Sequence, residues 1–164
     1  MAFYAVQIAR LIEWQGPYAD LTFMALMHDV EEVFTSDIIS PVKAQIVDAT
    51  KMSNYVTEQM KARLPLIGAQ LDAVLDSPWG ESIHYIIKVA DKVDACIHLI
   101  TEIRMGNTPL TPLLNDAMAN LYDAWINLTL GMESGYVQKL WNDDLYPALQ
   151  AHHKYGSIGV VSEG

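Results

Sequence analysis

Histidine and aspartate stand side by side at His28-Asp29, in a stretch otherwise made of Phe23, Met24, Ala25, Leu26 and Met27. A polar pair in an apolar helix must find partners or ligate something, because burying it alone is costly. An imidazole beside a carboxylate suits a borderline or hard divalent metal. Glu32 follows His28 by four positions, so it shares the same helical face. From there it could pass a proton near an activated water. The plainer alternative is a core histidine with its hydrogen bonds satisfied, next to surface acids that include Glu31 and Glu32. The dipeptide alone fits either reading.

A second candidate is Asp91, within Lys88-Val89-Ala90-Asp91-Lys92-Val93-Asp94. Ile86, Ile87, Val89, Ala90 and Val93 surround it, and Ala90 and Ala95 are small enough to let another helix approach. Its plainer role is an ion pair with Lys88, while Asp94 faces solvent or a nearby lysine. His84 and His98 lie two helical turns either side of Asp91, about 10 Å along the axis, too far to share an ion with it. They read as packing residues or outer supports. Cys96 is the chain's one cysteine and reads as a small core residue, since no nucleophile motif accompanies it. No Walker-type glycine loop, GxGxxG or CxxC occurs.

The elements that must hold these residues are helical. Ala2 to Trp14 is apolar with scattered polar positions and is stopped by Gln15-Gly16-Pro17. It begins almost at Met1 with no capping residue ahead of it. Asp20 caps a helix over about 21–34. Ser36-Asp37 and Ser40-Pro41 mark a loop, and Pro41 opens a helix over about 42–63. Pro65 breaks that one, and a short helix follows to about Leu75. A long helix runs over about 81–105, ended by Gly106-Asn107. Another follows Pro109 and Pro112 to about Leu130, and a last one ends near Tyr155. The only strand-like stretch, Ile158 to Val161, is too short for a sheet. One domain over residues 1–155 and a flexible tail at 156–164 are expected.

Composition bounds the chemistry. The 164 residues suffice for one core, and 51% hydrophobic with 18% charged is ordinary for a folded domain. With 10 basic and 20 acidic residues the net charge is −10, which repels duplex nucleic acid and anionic lipid. Neither a nucleic-acid polymer nor a membrane is therefore an expected partner. A small anionic substrate remains compatible, because a bound cation reverses the local field. A single cysteine excludes an intrachain disulfide and fits a cytoplasmic setting. No apolar run reaches the length of a membrane span.

Taken together, the two strings resemble the bacterial HD-domain 5'-deoxynucleotidases, within the HD-domain phosphohydrolases. His28-Asp29-Val30-Glu31-Glu32-Val33-Phe34-Thr35-Ser36-Asp37-Ile38-Ile39-Ser40-Pro41-Val42-Lys43 is similar to the family's core motif. Lys88-Val89-Ala90-Asp91, with Ala95, Glu102 and Gly106-Asn107, is similar to its second motif. The resemblance covers residues 1 to 107. It implies a single-domain, all-α HD-type bundle with a central metal site, in which His28, Asp29 and Asp91 bind one divalent ion (Mn, Co, Fe, Zn or Mg). Glu32 and Asp37 would sit beside the attacking water and the substrate. Asp37, Ile38, Ile39 and Ser40 would line the nucleotide pocket, Ser40 keeping the hydroxyl of the family's usual threonine. A homodimer is implied as well.

The expected activity is release of phosphate from deoxynucleoside monophosphates. The alternatives are an HD-type di- or triphosphate phosphohydrolase and a non-catalytic helical interaction protein on an HD scaffold. A divalent metal would offset the phosphate charge and acidify a water. One departure stands out. The family has a further histidine ligand ahead of the segment matching Ala2 to Ala9, with an arginine and an aromatic that grip substrate, and no histidine precedes His28 here. The expectations are a natural upstream segment, a site with fewer ligands, or lost activity, of which the uncapped start favours the first.

Overall fold

The computed structural model describes residues 1–30, 49–130 and 139–154. Among the described residues all regular structure is helical and no strand occurs, as the sequence predicts. In chain order come α1 (Ala2–Leu11), α2 (Tyr18–Met27), α3 (Ala49–Arg63), α4 (Pro65–Leu75), α5 (Gly80–Arg104) and α6 (Thr111–Leu128). A 3₁₀ turn (Thr108–Leu110) leads into α6, and a π-helical turn (Trp141–Leu145) leads into α7 (Tyr146–Lys154). The segment 31–48, the strand-like stretch 158–161 and the expected tail 156–164 lie outside the described residues. The chain divides into two compact units, Met1–Gln15 with His84–Gly164, and Gly16–Ile83.

In the first unit the buried face of α1 is Ala5, Ile8 and Ala9. On α5, Ile86, Val89, Val93, Cys96 and Ile100 recur every three or four residues and are all buried, as is Ala90 beside Val89. That spacing gives a helix one continuous apolar stripe. Leu114, Leu121 and Trp125 form the corresponding stripe of α6. Trp141 sits among aromatics, its ring centroid 4.9 Å from that of Tyr122, 6.3 Å from Trp125 and 6.0 Å from Tyr146.

Helix ends explain where the structure departs from the expected boundaries. α1 stops three residues short of Trp14 because Glu13 turns left-handed, at φ 53°. The Glu13 amide then donates to Arg10 O and the Trp14 amide to Ala9 O, satisfying carbonyls that the helix end would strand. α2 begins at Tyr18 rather than Leu21, with Pro17 in the capping position and Asp20 in the first turn. There an acid complements the positive end of the helix without capping it. The end of α5 follows the expected glycine rule. Gly106 takes φ 103°, its amide donates to Ile103 O, and the Asn107 amide donates to Glu102 O.

Within the second unit, Pro65 opens α4 as its first residue, where a missing amide hydrogen costs nothing. α3 and α4 then lie close together. A Cβ built on Gly68 would stand 2.7 Å from Lys61 Cγ, and Lys61 Nζ is 2.7 Å from an Asp72 carboxylate oxygen. Gly80 is pinned where α5 begins, since a Cβ there would lie 2.3 Å from Leu75 O. Among the described residues of this unit, Leu21, Ala25, Met60, Leu71, Val74 and Ile83 are the buried apolar ones.

Candidate functional site

His28 does not sit inside its helix, as the sequence pattern suggests, but just past its end. α2 closes at Met27, with His28 in the C-capping position and Asp29 in the following turn. Two bonds close that end: the Val30 amide donates to Met27 O, and His28 Nδ1 lies 3.0 Å from Ala25 O. A carbonyl can only accept, so Nδ1 carries the hydrogen and donates it. One of the helix's stranded carbonyls is thereby satisfied. The ring is fixed with Nε2 turned toward Asp29, 2.7 Å from Oδ2.

With Nδ1 protonated, neutral imidazole presents a lone pair at Nε2. The Asp29 oxygen presents lone pairs too. Two such atoms 2.7 Å apart need a positive centre to hold them, either a proton on Nε2 or a cation that both ligate. A metal-binding histidine commonly donates its other ring nitrogen to a backbone carbonyl, which is the arrangement His28 has with Ala25. The negative end of α2 adds to the preference for a cation here. As a donor set, His28 and Asp29 therefore fit a divalent ion. Among the described residues, no three His, Cys, Asp or Glu side chains are grouped as donors for one ion.

Asp91 belongs to the first unit and lies within α5. Lys92 Nζ donates to its Oδ2 at 2.9 Å, in place of the expected Lys88. Neighbouring positions on a helix diverge, so this pair depends on the long lysine stem folding back; spacing alone gives no sign of it. Asp94 is exposed and stands 3.4 Å from the amino-terminal nitrogen of Met1. His84 and His98 are exposed, so of their two expected roles core packing is excluded, and Ala95 is exposed too. Crowding around the His84 ring, and then the Lys88 ammonium, hold its imidazole below the ordinary range. Cys96 is the expected core residue. Burial pushes its thiol up to about 11, with Lys92 drawing it partly back.

Glu32, Asp37, Ile38, Ile39 and Ser40 lie outside the described residues. The family comparison does span them. A family model described as 5'-deoxynucleotidase YfbR-like matches residues 5–127. The chain belongs to the YfbR-like family. The YfbR-like match contains His28-Asp29, the segment after it and Asp91, and it extends beyond the motif at Gly106-Asn107 into α6. Membership places the chain among the HD-type hydrolases, a group that is generally metal-dependent. Comparison with curated proteins and with solved structures gave no match. Among the described residues, no helix is long and apolar enough to cross a membrane.

Proposed function

We propose that this YfbR-like protein is a metal-dependent 5'-deoxynucleotidase that releases phosphate from deoxynucleoside monophosphates. The observation that carries the reading is His28, with its Nδ1 bound to Ala25 O and its Nε2 set 2.7 Å from the Asp29 carboxylate. That donor pair can accept a cation in place of a proton, and it lies inside the segment that the family match spans. His28, Asp29 and Asp91 would hold one divalent ion, of the Mn, Co, Fe, Zn or Mg class. When bound, such an ion offsets the charge of the phosphate oxygens and makes a water more acidic.

The remaining work falls to side chains. Glu32 would manage one proton, taken from the attacking water or given to the leaving 5' oxygen. Asp37 would orient the water or a sugar hydroxyl, and Ile38, Ile39 and Ser40 would line the nucleotide pocket. A small nucleotide as substrate accords with the net charge of −10, which disfavours a polymer backbone. The protein would act in the cytoplasm, as a homodimer.

A product assay tests the reading. Purified chain is incubated with deoxynucleoside mono-, di- and triphosphates and each divalent metal in turn. Inorganic phosphate from the monophosphates, abolished by chelator, is the expected result. Pyrophosphate or triphosphate as the product would instead identify a di- or triphosphate phosphohydrolase. No turnover with any metal would overturn the enzymatic reading and leave a helical interaction protein.

A further inference from the structure

Among the described residues, Lys88 is a cation that the ion pairs leave over. It lies three positions before Asp91 on α5, hence on the same helical face, with Cβ atoms about 5–6 Å apart. The natural partner for an ammonium in that position is Asp91, but the Asp91 carboxylate is engaged by Lys92 at 2.9 Å. None of the ion pairs among the described residues includes Lys88, and its side chain is exposed. Acids outnumber bases 20 to 10 in this chain, so a lysine outside every ion pair among the described residues is unexpected. Its charge is felt locally, since it contributes to holding the His84 imidazole low one turn away.

We propose that Lys88 binds the phosphoryl group of the substrate beside Asp91. The inference rests on the proposed function for the place of Asp91 and supplies what that reading lacks, a protein cation for the phosphate. The Asp91 carboxylate repels a phosphate dianion. An ammonium one turn from Asp91 offsets that repulsion and offers three hydrogens to the phosphate oxygens. Lys92 is adjacent but already committed to Asp91, where it lowers the negative charge that an incoming anion meets.

The test measures anion binding apart from turnover. Calorimetry on the full chain with Mn²⁺ compares inorganic phosphate, a deoxynucleoside monophosphate and the matching deoxynucleoside, for the wild type, Lys88→Gln and Lys88→Arg. One charge-assisted contact corresponds to roughly a ten- to hundredfold change in affinity. The expected result is a loss of that size for phosphate and monophosphate in Lys88→Gln and recovery of most of it in Lys88→Arg. Nucleoside binding and metal content should not change. Equal phosphate affinity in wild type and Lys88→Gln, or no phosphate binding by the wild type, overturns the inference. The two readings fail separately. Phosphate binding through Lys88 without hydrolysis of any monophosphate sinks the proposed function alone, whereas unaltered KM and phosphate affinity in a hydrolysing Lys88→Gln enzyme sinks the inference alone.

Discussion

At the scale of single residues, chemistry is decided by what each polar atom already touches. His28 spends Nδ1 on Ala25 O and keeps Nε2 for Asp29 or a cation. Asp91 spends Oδ2 on Lys92. Replacing Asp91 by Ala removes a carboxylate from the proposed ligand set and leaves a cation with too little compensating charge. Metal analysis of Asp91→Ala should show most of the metal lost and turnover gone, with the helical circular dichroism retained because the side chain is half-exposed. Normal metal content with full activity would refute the assignment. Cys96 provides an independent check on the first unit. A thiol raised to about 11 and buried in the core carries almost no thiolate at neutral pH. It should resist a disulfide reagent in the folded protein and react within minutes once denaturant is added. Prompt labelling without denaturant would place Cys96 at the surface.

Among the elements, the ends of helices separate what the sequence announces from what it conceals. Pro65 at the start of α4 and Gly106 after α5 are legible because each residue type has one dominant reason to be there. The end of α1 is concealed, because Glu13, not a glycine, takes the left-handed position. A side chain with a Cβ is strained there, by roughly 1 kcal/mol. Glu13→Gly relieves that strain but also loosens the unfolded chain, so a net gain of about 0.5 kcal/mol is expected. Denaturant titration should show a higher midpoint at unchanged slope, and a lower midpoint would mean that Glu13 holds the turn through its side chain. The site divides in the same way. His28-Asp29 and Asp91 stand out as acids and an imidazole among apolar neighbours. That His28 closes α2, and that Lys92 takes Asp91, depends on ring and stem conformations that no residue spacing encodes.

For the whole molecule, the ligand proposal has a thermodynamic consequence. About sixty residues of chain separate Asp29 from Asp91. An ion that both ligate binds the folded protein and has no comparable site in the unfolded chain, so it stabilises the fold by RT ln(1 + [M]/Kd). At a hundredfold excess over Kd that is about 2.7 kcal/mol. For a chain of this length, each kcal/mol moves Tm by roughly 2–4 °C. Saturating Mn²⁺ should therefore raise Tm by about 5–10 °C, and a chelator should reverse the change. The variants decide where the ion sits. If His28 and Asp91 share it, His28→Ala and Asp91→Ala should each abolish most of the metal-dependent rise. A rise that His28→Ala removes and Asp91→Ala leaves intact would confine the ion to the end of α2, and Asp91 would then be an ordinary partner of Lys92.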